Sequence, residues 1–201
     1  MQPLELYIHI PFCVKKCAYC DFLSGPAGEK EKEEYVKMLV DEIRNCPDTV
    51  QNYRVISIFF GGGTPSLLTG EQIGRLMDTV REIFTLDEDA EITMEMNPGT
   101  VTEEKLRKYR QAGVNRLSIG LQSVNDEELR LLGRIHTYEE FLEAYHLARA
   151  NGFANINVDL ISAIPGQTVE SWRRTLEQVM ALFPEHISCL LYTSPSQRDC
   201  S

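Results

Sequence analysis

The residues best suited to chemistry are three cysteines that lie within eight residues near the start of the chain. Cys13, Cys17 and Cys20 have the spacing Cys-x3-Cys-x2-Cys, and Tyr19 precedes the third. Thiolates this close in sequence can converge on one metal centre from a single loop. A structural zinc ion needs four protein ligands, and no second Cys-x2-Cys pair follows downstream. A cubane iron–sulfur cluster held by three cysteines would instead leave one iron open to an outside ligand.

Two other interpretations of this cysteine cluster are a zinc loop completed by His9 and a set of unrelated thiols. His9 lies four residues before Cys13 in a predicted strand, so its side chain points to a fixed face. The remaining cysteines, Cys46, Cys189 and Cys200, are isolated in the sequence, which disfavours a chance cluster. The pattern favours an iron–sulfur centre over both alternatives.

Composition bounds the class of protein. The chain has 201 residues, enough for one domain or part of a larger protein, with 43% hydrophobic and 25% charged residues. Its formal net charge of -10 disfavours a nucleic acid partner, which requires a clustered basic face.

The N-terminus lacks the features of a signal peptide, and no apolar run is long enough to span a membrane. Cysteine-rich chains without a secretory signal are typical of a reducing compartment, so we expect a cytoplasmic protein.

Hydrophobic periodicity predicts alternating strands and helices that would position these cysteines. The predicted strands cover residues 4–10, 55–60, 91–96, 116–121, 155–161 and 186–191, and the predicted helices cover 29–45, 69–84, 102–111, 126–132, 137–152 and 168–183. This order indicates parallel strands with helical crossovers. Polar residues fall on one face near the carboxyl ends of the strands: Tyr7, His9, Glu95, Asn97, Gln122 and Asp159. A barrel-like cup uses that end as its site, although a doubly wound open sheet would give the same alternation.

Four other residues are of types that often occur in functional sites, but we expect each of them to have only a structural or surface role. We expect His136 and His146 to be exposed, Trp172 to pack a helix, and Cys46 to be a surface or half-buried thiol. None of them is assigned to a site.

The cysteine motif resembles that of the radical S-adenosylmethionine (radical SAM) superfamily. The segment YIHIPFC at residues 7–13 narrows the resemblance to the coproporphyrinogen III dehydrogenase branch, which includes the HemW-type haem chaperones. The match extends from residue 4 to about residue 188. It implies an α/β fold, a partial (β/α)6 TIM-like radical SAM barrel of parallel strands that is incomplete at the C-terminus. Residues 1–188 would be the radical SAM core, and residues 189–201 an atypical tail foreign to the family.

The resemblance also implies the cofactors and their contacts. Cys13, Cys17 and Cys20 would bind a [4Fe-4S] cluster, whose open iron would be chelated by SAM. The expected SAM-binding residues are the aromatics, the glycine loop and the polar residues at strand ends and after the fourth helix: Tyr7, Tyr19, Gly62, Gly63, Thr64, Glu95, Gln122, Arg134 and Asp159. No residue is assigned as a catalytic acid, base or nucleophile.

The function implied by the resemblance has two forms. In the superfamily the reduced cluster cleaves SAM to methionine and a 5′-deoxyadenosyl radical, so this chain would be able to cleave SAM. The dehydrogenase carries a further cysteine where this chain has Phe22, and it has an N-terminal extension before its first strand. These departures favour the HemW type, which binds haem or a porphyrin and delivers haem to client haemoproteins. The alternative is oxygen-independent coproporphyrinogen III oxidation, and a tRNA-modifying enzyme is disfavoured by the acidity.

Overall fold

A computed structural model describes residues 1–192 of the chain. Its centre is one sheet of six parallel strands in sequential order. The strands are β1 (Gln2–Ile10), β2 (Tyr53–Gly62), β3 (Thr85–Met96), β4 (Arg116–Gln122), β5 (Asn155–Ser162) and β6 (His186–Leu191). The helices are α1 (Glu29–Arg44), α2 (Gly70–Ile83), α3 (Glu103–Ala112), α4 (Asp126–Leu131), α5 (Tyr138–Ala150) and α6 (Val169–Met180), with short 3-10 helices at Asp48–Asn52 and Pro65–Leu67.

The core lies between the sheet and its helices. Apolar residues at every second position of the strands, such as Phe60, Met94 and Val158, are fully buried and belong to the same cluster as helix residues such as Leu76 and Tyr145. The opposite face of the sheet carries the polar residues. Within residues 1–192 no ladder joins β1 to β6, so the sheet is a curled part of a barrel, as expected for the partial (β/α)6 architecture.

Helix caps place the ends of the helices where the sequence predicts them. Thr69 and Thr137 each accept a hydrogen bond from the backbone three residues later, in capping boxes with Gln72 and Glu140. Gly113 ends α3 with φ +105°, a backbone conformation that favours glycine. The carboxyl ends of the six strands lie at one edge of the sheet because all the ladders are parallel.

Two boundary predictions were wrong by several residues. β3 begins at Thr85 instead of residue 91, because the irregular register between Val55 and Ser57 of β2 lets the acidic segment 87–89 remain in the strand. Asp and Glu have low strand propensity, which is why the pattern missed it. α6 ends at Met180 instead of residue 183, since Pro184 disfavours a helical conformation before it and Phe183 has φ +52°.

The last strand, β6, runs across the predicted boundary between core and tail. This strand pairs with β5 through Leu191, so residues 189–191, assigned to the predicted tail, are part of the sheet. The division of the chain at residue 188 stays a prediction, and residues 193–201 lie outside the described part. In residues 1–192, none of the helices combines the length and apolar character that a membrane crossing demands.

Candidate functional site

The carboxyl ends of the six strands and the segments that follow them form one edge of the sheet, which we call the mouth. The cysteine loop follows β1 and is tied to the rest of the mouth by backbone hydrogen bonds. Cys13 N donates to Gly25 O at 2.9 Å, which closes the base of the loop. Ala18 N donates to Leu132 O at 2.9 Å, which attaches the loop to the end of α4. The three thiols are free and half-buried. The loop therefore presents thiols toward the carboxyl ends of the strands.

The thiols do not form a metal cage by themselves. Across residues 1–192, no three His, Cys, Asp or Glu side chains are gathered closely enough to hold a metal ion. Both His9 nitrogens have partners: Nδ1 lies 3.1 Å from Tyr7 Oη, and Nε2 lies 3.4 Å from Leu23 O. His9 therefore has hydrogen-bond partners outside the cysteine cluster in this structure, and the identity of the metal stays a prediction. A cluster would draw the three thiols of this exposed loop together, since metal binding and local folding are coupled.

The glycine loop after β2 lies directly against the cysteine loop. Gly63 N donates to Ile10 O at 2.8 Å and Thr64 N donates to Phe12 O at 2.7 Å. A Cβ atom at Gly63 would lie 2.6 Å from Phe12 O, so a larger residue would push the two loops apart. The Thr64 hydroxyl lies 3.5 Å from Cys13 Sγ. The predicted SAM loop and the predicted cluster loop are therefore one packed unit.

Glu95 lies at the mouth beside this unit. Its Oε2 accepts a hydrogen bond of 3.0 Å from Gly62 N. The pKa of Glu95 is raised to about 7: burial is the largest cause, the hydrogen bond from Gly62 opposes it, and the negative charge of Asp159 adds to it. Near neutral pH both protonation states of Glu95 are populated. A cationic group placed here, such as the amino group expected of SAM, would favour the carboxylate.

Arg134 reaches into the mouth from the segment after α4. One terminal nitrogen, Nη2, donates to Asn97 Oδ1 and to Gly120 O, both at 2.7 Å. The other, Nη1, donates to Cys17 Sγ at 3.8 Å. A Cβ at Gly120 would lie 3.0 Å from Asn97 Oδ1 and 3.2 Å from the guanidinium, so a larger residue would crowd both side chains.

Two buried polar atoms of predicted SAM-binding residues fit a polar cofactor. Gln122, at the end of β4 with φ +75°, has a buried Oε1 that finds no partner within residues 1–192. Arg134 Nε is likewise buried without a partner in that range. Buried polar groups are normally paired, and an unpaired acceptor together with an unpaired donor suits a molecule with both ammonium and carboxylate groups. The residues present therefore fit SAM.

Asp159 belongs to a second network on the inner face of β4, β5 and β6. Its Oδ2 accepts from Ser118 Oγ at 2.8 Å, and its Oδ1 accepts from Asn157 Nδ2 at 2.7 Å. The same amide donates to Ser118 Oγ at 2.8 Å and accepts from Ser188 Oγ at 3.0 Å. Asp159 is thus held rigidly by three strands at the predicted SAM position.

The two predicted aromatic contacts lie on different sides of the mouth. Tyr7 is exposed on β1 and stacks on Phe59, with ring centroids 6.1 Å apart. Tyr19 packs against a small apolar cluster of Leu132, Ile161 and Ile164. They flank the mouth, and their contact with SAM stays a prediction, as do the roles of the other assigned residues.

The expectation for His136 was wrong, whereas that for His146 was right. His136 is buried, and its Nε2–H donates to Leu121 O at 3.3 Å, next to Gln122. Burial lowers the pKa of His136 to about 4, so the ring is neutral. The burial comes from packing against β4, so the local sequence held no signal for it. His146 is exposed, and Trp172 packs against the core.

Asn97 and Asn157 are the residues whose importance the sequence analysis underestimated. Asn97 was noted only as a polar residue at a strand end, yet it joins Thr64 to Arg134. Asn157 was noted only as sharing a face with Asp159, yet it links three side chains on three strands.

Known proteins resemble this chain over most of its described length. The profile of the Radical SAM superfamily matches residues 7–179. The protein named Heme chaperone HemW from Escherichia coli (strain K12) is 47% identical over 189 residues, covering 94% of this chain and 50% of that protein. Oxygen-independent coproporphyrinogen III oxidase from Salmonella typhimurium is 38% identical over 192 residues, covering 95% of this chain and 42% of that protein.

The solved structure of coproporphyrinogen III oxidase (HemN) from Escherichia coli superposes with a TM-score of 0.88 at 38% identity. The superposition covers 96% of this chain and 44% of that one. The chain spans about half the length of the curated relatives it matches.

Proposed function

This chain belongs to the Radical SAM superfamily, and from that premise we propose that it binds a [4Fe-4S] cluster and SAM and serves haem delivery. The single observation that carries the cofactor assignment is the packed unit of cysteine loop, glycine loop and Arg134. In it Cys17 Sγ accepts a hydrogen bond from Arg134, Cys13 Sγ lies against the Thr64 hydroxyl, and Gln122 and Arg134 each have a buried polar atom without a partner in residues 1–192. When bound and reduced, the cluster would supply the electron that cleaves SAM.

Each part of SAM has a partner in this proposal. Arg134, through its free Nε and its guanidinium charge, would hold the carboxylate. Glu95 would hold the amino group as a carboxylate, and the Gly62–Thr64 backbone would lie along the methionyl chain. Cys13, Cys17 and Cys20 would bind three irons and leave the fourth open.

Haem delivery is the function best supported by the residues beside the cluster loop. Phe22 stands two residues after Cys20, is 65% exposed, and is followed by the still more exposed Leu23. An exposed apolar pair at the rim of the cluster loop offers a surface to a flat apolar ligand such as a porphyrin. Phe22 can neither ligate iron nor transfer a proton, whereas the dehydrogenase has cysteine at that position. The relative of higher identity is named as a haem chaperone.

Oxidation of coproporphyrinogen III is the second candidate function. The observation in its favour is the superposition on the oxidase from Escherichia coli, with a TM-score of 0.88. Both candidates would use the same cluster and SAM site. The two functions would therefore differ in the residues beside the cluster loop, such as Phe22, and in the molecule that is bound there.

Two parallel assays on anaerobically reconstituted protein separate the candidates. We expect a haem titration, followed by absorbance, to saturate at one haem per chain. We expect chromatography to find no protoporphyrinogen after incubation with coproporphyrinogen III, SAM and a reductant. Phe22→Cys should still give no protoporphyrinogen, and it should weaken haem binding because half of the exposed apolar pair is removed. Product above the no-enzyme control would make decarboxylation the leading function, and failure to bind haem would refute the delivery proposal.

A further inference from the structure

We infer that a chain of side-chain hydrogen bonds through Asn97 tunes the reduction potential of the cluster. The chain runs from Cys17 through Arg134, Asn97 and Thr64 to Cys13, and Asn97 orients it so that both of its ends donate to a thiol. The inference rests on the proposed cluster site. Arg134 Nη1 is 3.8 Å from Cys17 Sγ, and Nη2 is 2.7 Å from Asn97 Oδ1. Asn97 Nδ2 is 2.8 Å from Thr64 Oγ1, which is 3.5 Å from Cys13 Sγ.

The direction of this chain is fixed by chemistry. A guanidinium group can only donate, so the atom of Asn97 that faces Arg134 must be the carbonyl oxygen. The amide nitrogen must then face Thr64 and donate to its hydroxyl oxygen. The only hydrogen of that hydroxyl remains available for Cys13 Sγ. Both ends of the chain therefore donate to sulfur.

Donation to sulfur matters because hydrogen bonds to the sulfur atoms help set the potential of an iron–sulfur cluster. A donor stabilises the extra negative charge of the reduced state and so raises the potential. Cys20 differs from the other two cysteines, since no side-chain hydrogen bond reaches its sulfur within residues 1–192. The cluster would thus be supported at Cys13 and Cys17 and left without such support at Cys20.

Asn97→Asp tests the direction of the chain. Aspartate keeps an acceptor for Arg134 but offers a second acceptor to Thr64, so the Thr64 hydroxyl turns its hydrogen toward the carboxylate. Cys13 then loses its donor, and a negative charge is added near the cluster. Both changes lower the potential. Thr64→Val removes the hydroxyl without adding charge, and Thr64→Ser restores it in a residue of similar shape.

The experiment is a redox titration of the 201-residue chain, reconstituted without oxygen and without SAM, with the reduced cluster followed by electron paramagnetic resonance. Iron is counted in every sample. We expect about four irons per chain throughout. We also expect a lower potential for Asn97→Asp and Thr64→Val, and a wild-type potential for Thr64→Ser.

The outcomes separate this inference from the proposed function. Wild-type protein that takes up no cluster refutes the proposed function itself. Full clusters with wild-type potentials in Asn97→Asp and Thr64→Val overturn the inference alone, as does an equal shift in Thr64→Ser and Thr64→Val. Loss of the cluster from both Asn97→Asp and Thr64→Val also overturns it, because the chain would then serve assembly and not tuning.

Discussion

The two flanks of the mouth each carry an asparagine at the centre of a hydrogen-bond network. One network ends on cysteine sulfur atoms, and the other ends on the carboxylate of Asp159. The sulfur-side network consists of Cys13, Thr64, Asn97, Arg134 and Cys17, and it joins four connecting segments of the chain. The carboxylate-side network consists of Ser118, Asn157, Asp159 and Ser188, and it joins three strands.

The difference shows how one fold supplies both adjustable and rigid parts of a site. Loops can move when a metal is bound, so the sulfur-side network can follow the thiols as they converge. Neighbouring strands are fixed by their ladders, so the carboxylate-side network holds Asp159 in one place. Glu95 lies between them, bonded to Gly62 on one side and within the field of Asp159 on the other.

The largest effect should come from removing the sulfur at one end of the sulfur-side network. Cys17→Ala should abolish iron binding, because two thiolates do not hold a cubane cluster. Iron analysis and the broad charge-transfer absorbance measure this. Cys46→Ala is the matched control, since that thiol lies two residues after α1 and its hydrogen-bond partner is Glu42 O, outside both networks. One zinc per wild-type chain with no iron uptake would contradict the cluster.

The next largest effect should come from the arginine of the same network. Arg134→Ala should leave iron content unchanged and weaken SAM binding by about 2 kcal/mol, or roughly 30-fold, through loss of charge-assisted hydrogen bonds. Calorimetry on reconstituted protein measures the affinity. Arg134→Lys keeps the charge but lacks the planar fork, so it should recover only part of the loss. Unchanged SAM affinity in Arg134→Ala would remove Arg134 from the site.

Glu95 should give the protein a pH-dependent stability that reports on the region between the networks. Its folded pKa of about 7 exceeds the value of 4.5 of an ordinary glutamate, so the folded state holds the proton more tightly. The resulting stability is fully present below about pH 4.5 and is lost as pH rises through 7, by at most about 3 kcal/mol. Glu95→Gln should remove this component from chemical unfolding curves. Identical pH profiles for the two proteins would refute the raised pKa.

The smallest effect should distinguish the rigid flank from the adjustable one. Asn157→Ala removes the buried amide that pairs with Ser118, Asp159 and Ser188, and it should lower the free energy of unfolding by about 1 kcal/mol. Denaturant titration measures it. The reduction potential of the cluster should stay at the wild-type value, in contrast to Asn97→Asp. A shifted potential in Asn157→Ala would erase the distinction between the two flanks.

Much of the fold could be predicted from the chain because its signals are local. Alternating apolar residues such as Leu6, Ile8 and Ile10 predict a strand with one buried face, and Thr137 with Glu140 predicts a helix start. The order of strands and helices then predicts a parallel sheet, which the structure confirms. Boundaries failed where tertiary pairing overrode local preference, as in the acidic start of β3.

The sequence by itself determined which groups are available for chemistry: three closely spaced thiols, a glycine loop, and polar residues at the strand ends. Their types and spacing follow the chain, and the matching family motif is contiguous. Only the tertiary structure decided their partners. Asn97 meets Thr64, 33 residues away, and Arg134, 37 residues away, and His136 is buried against β4 because of where α4 ends. Those contacts depend on strand register and loop packing between distant segments, and local sequence carries no record of either.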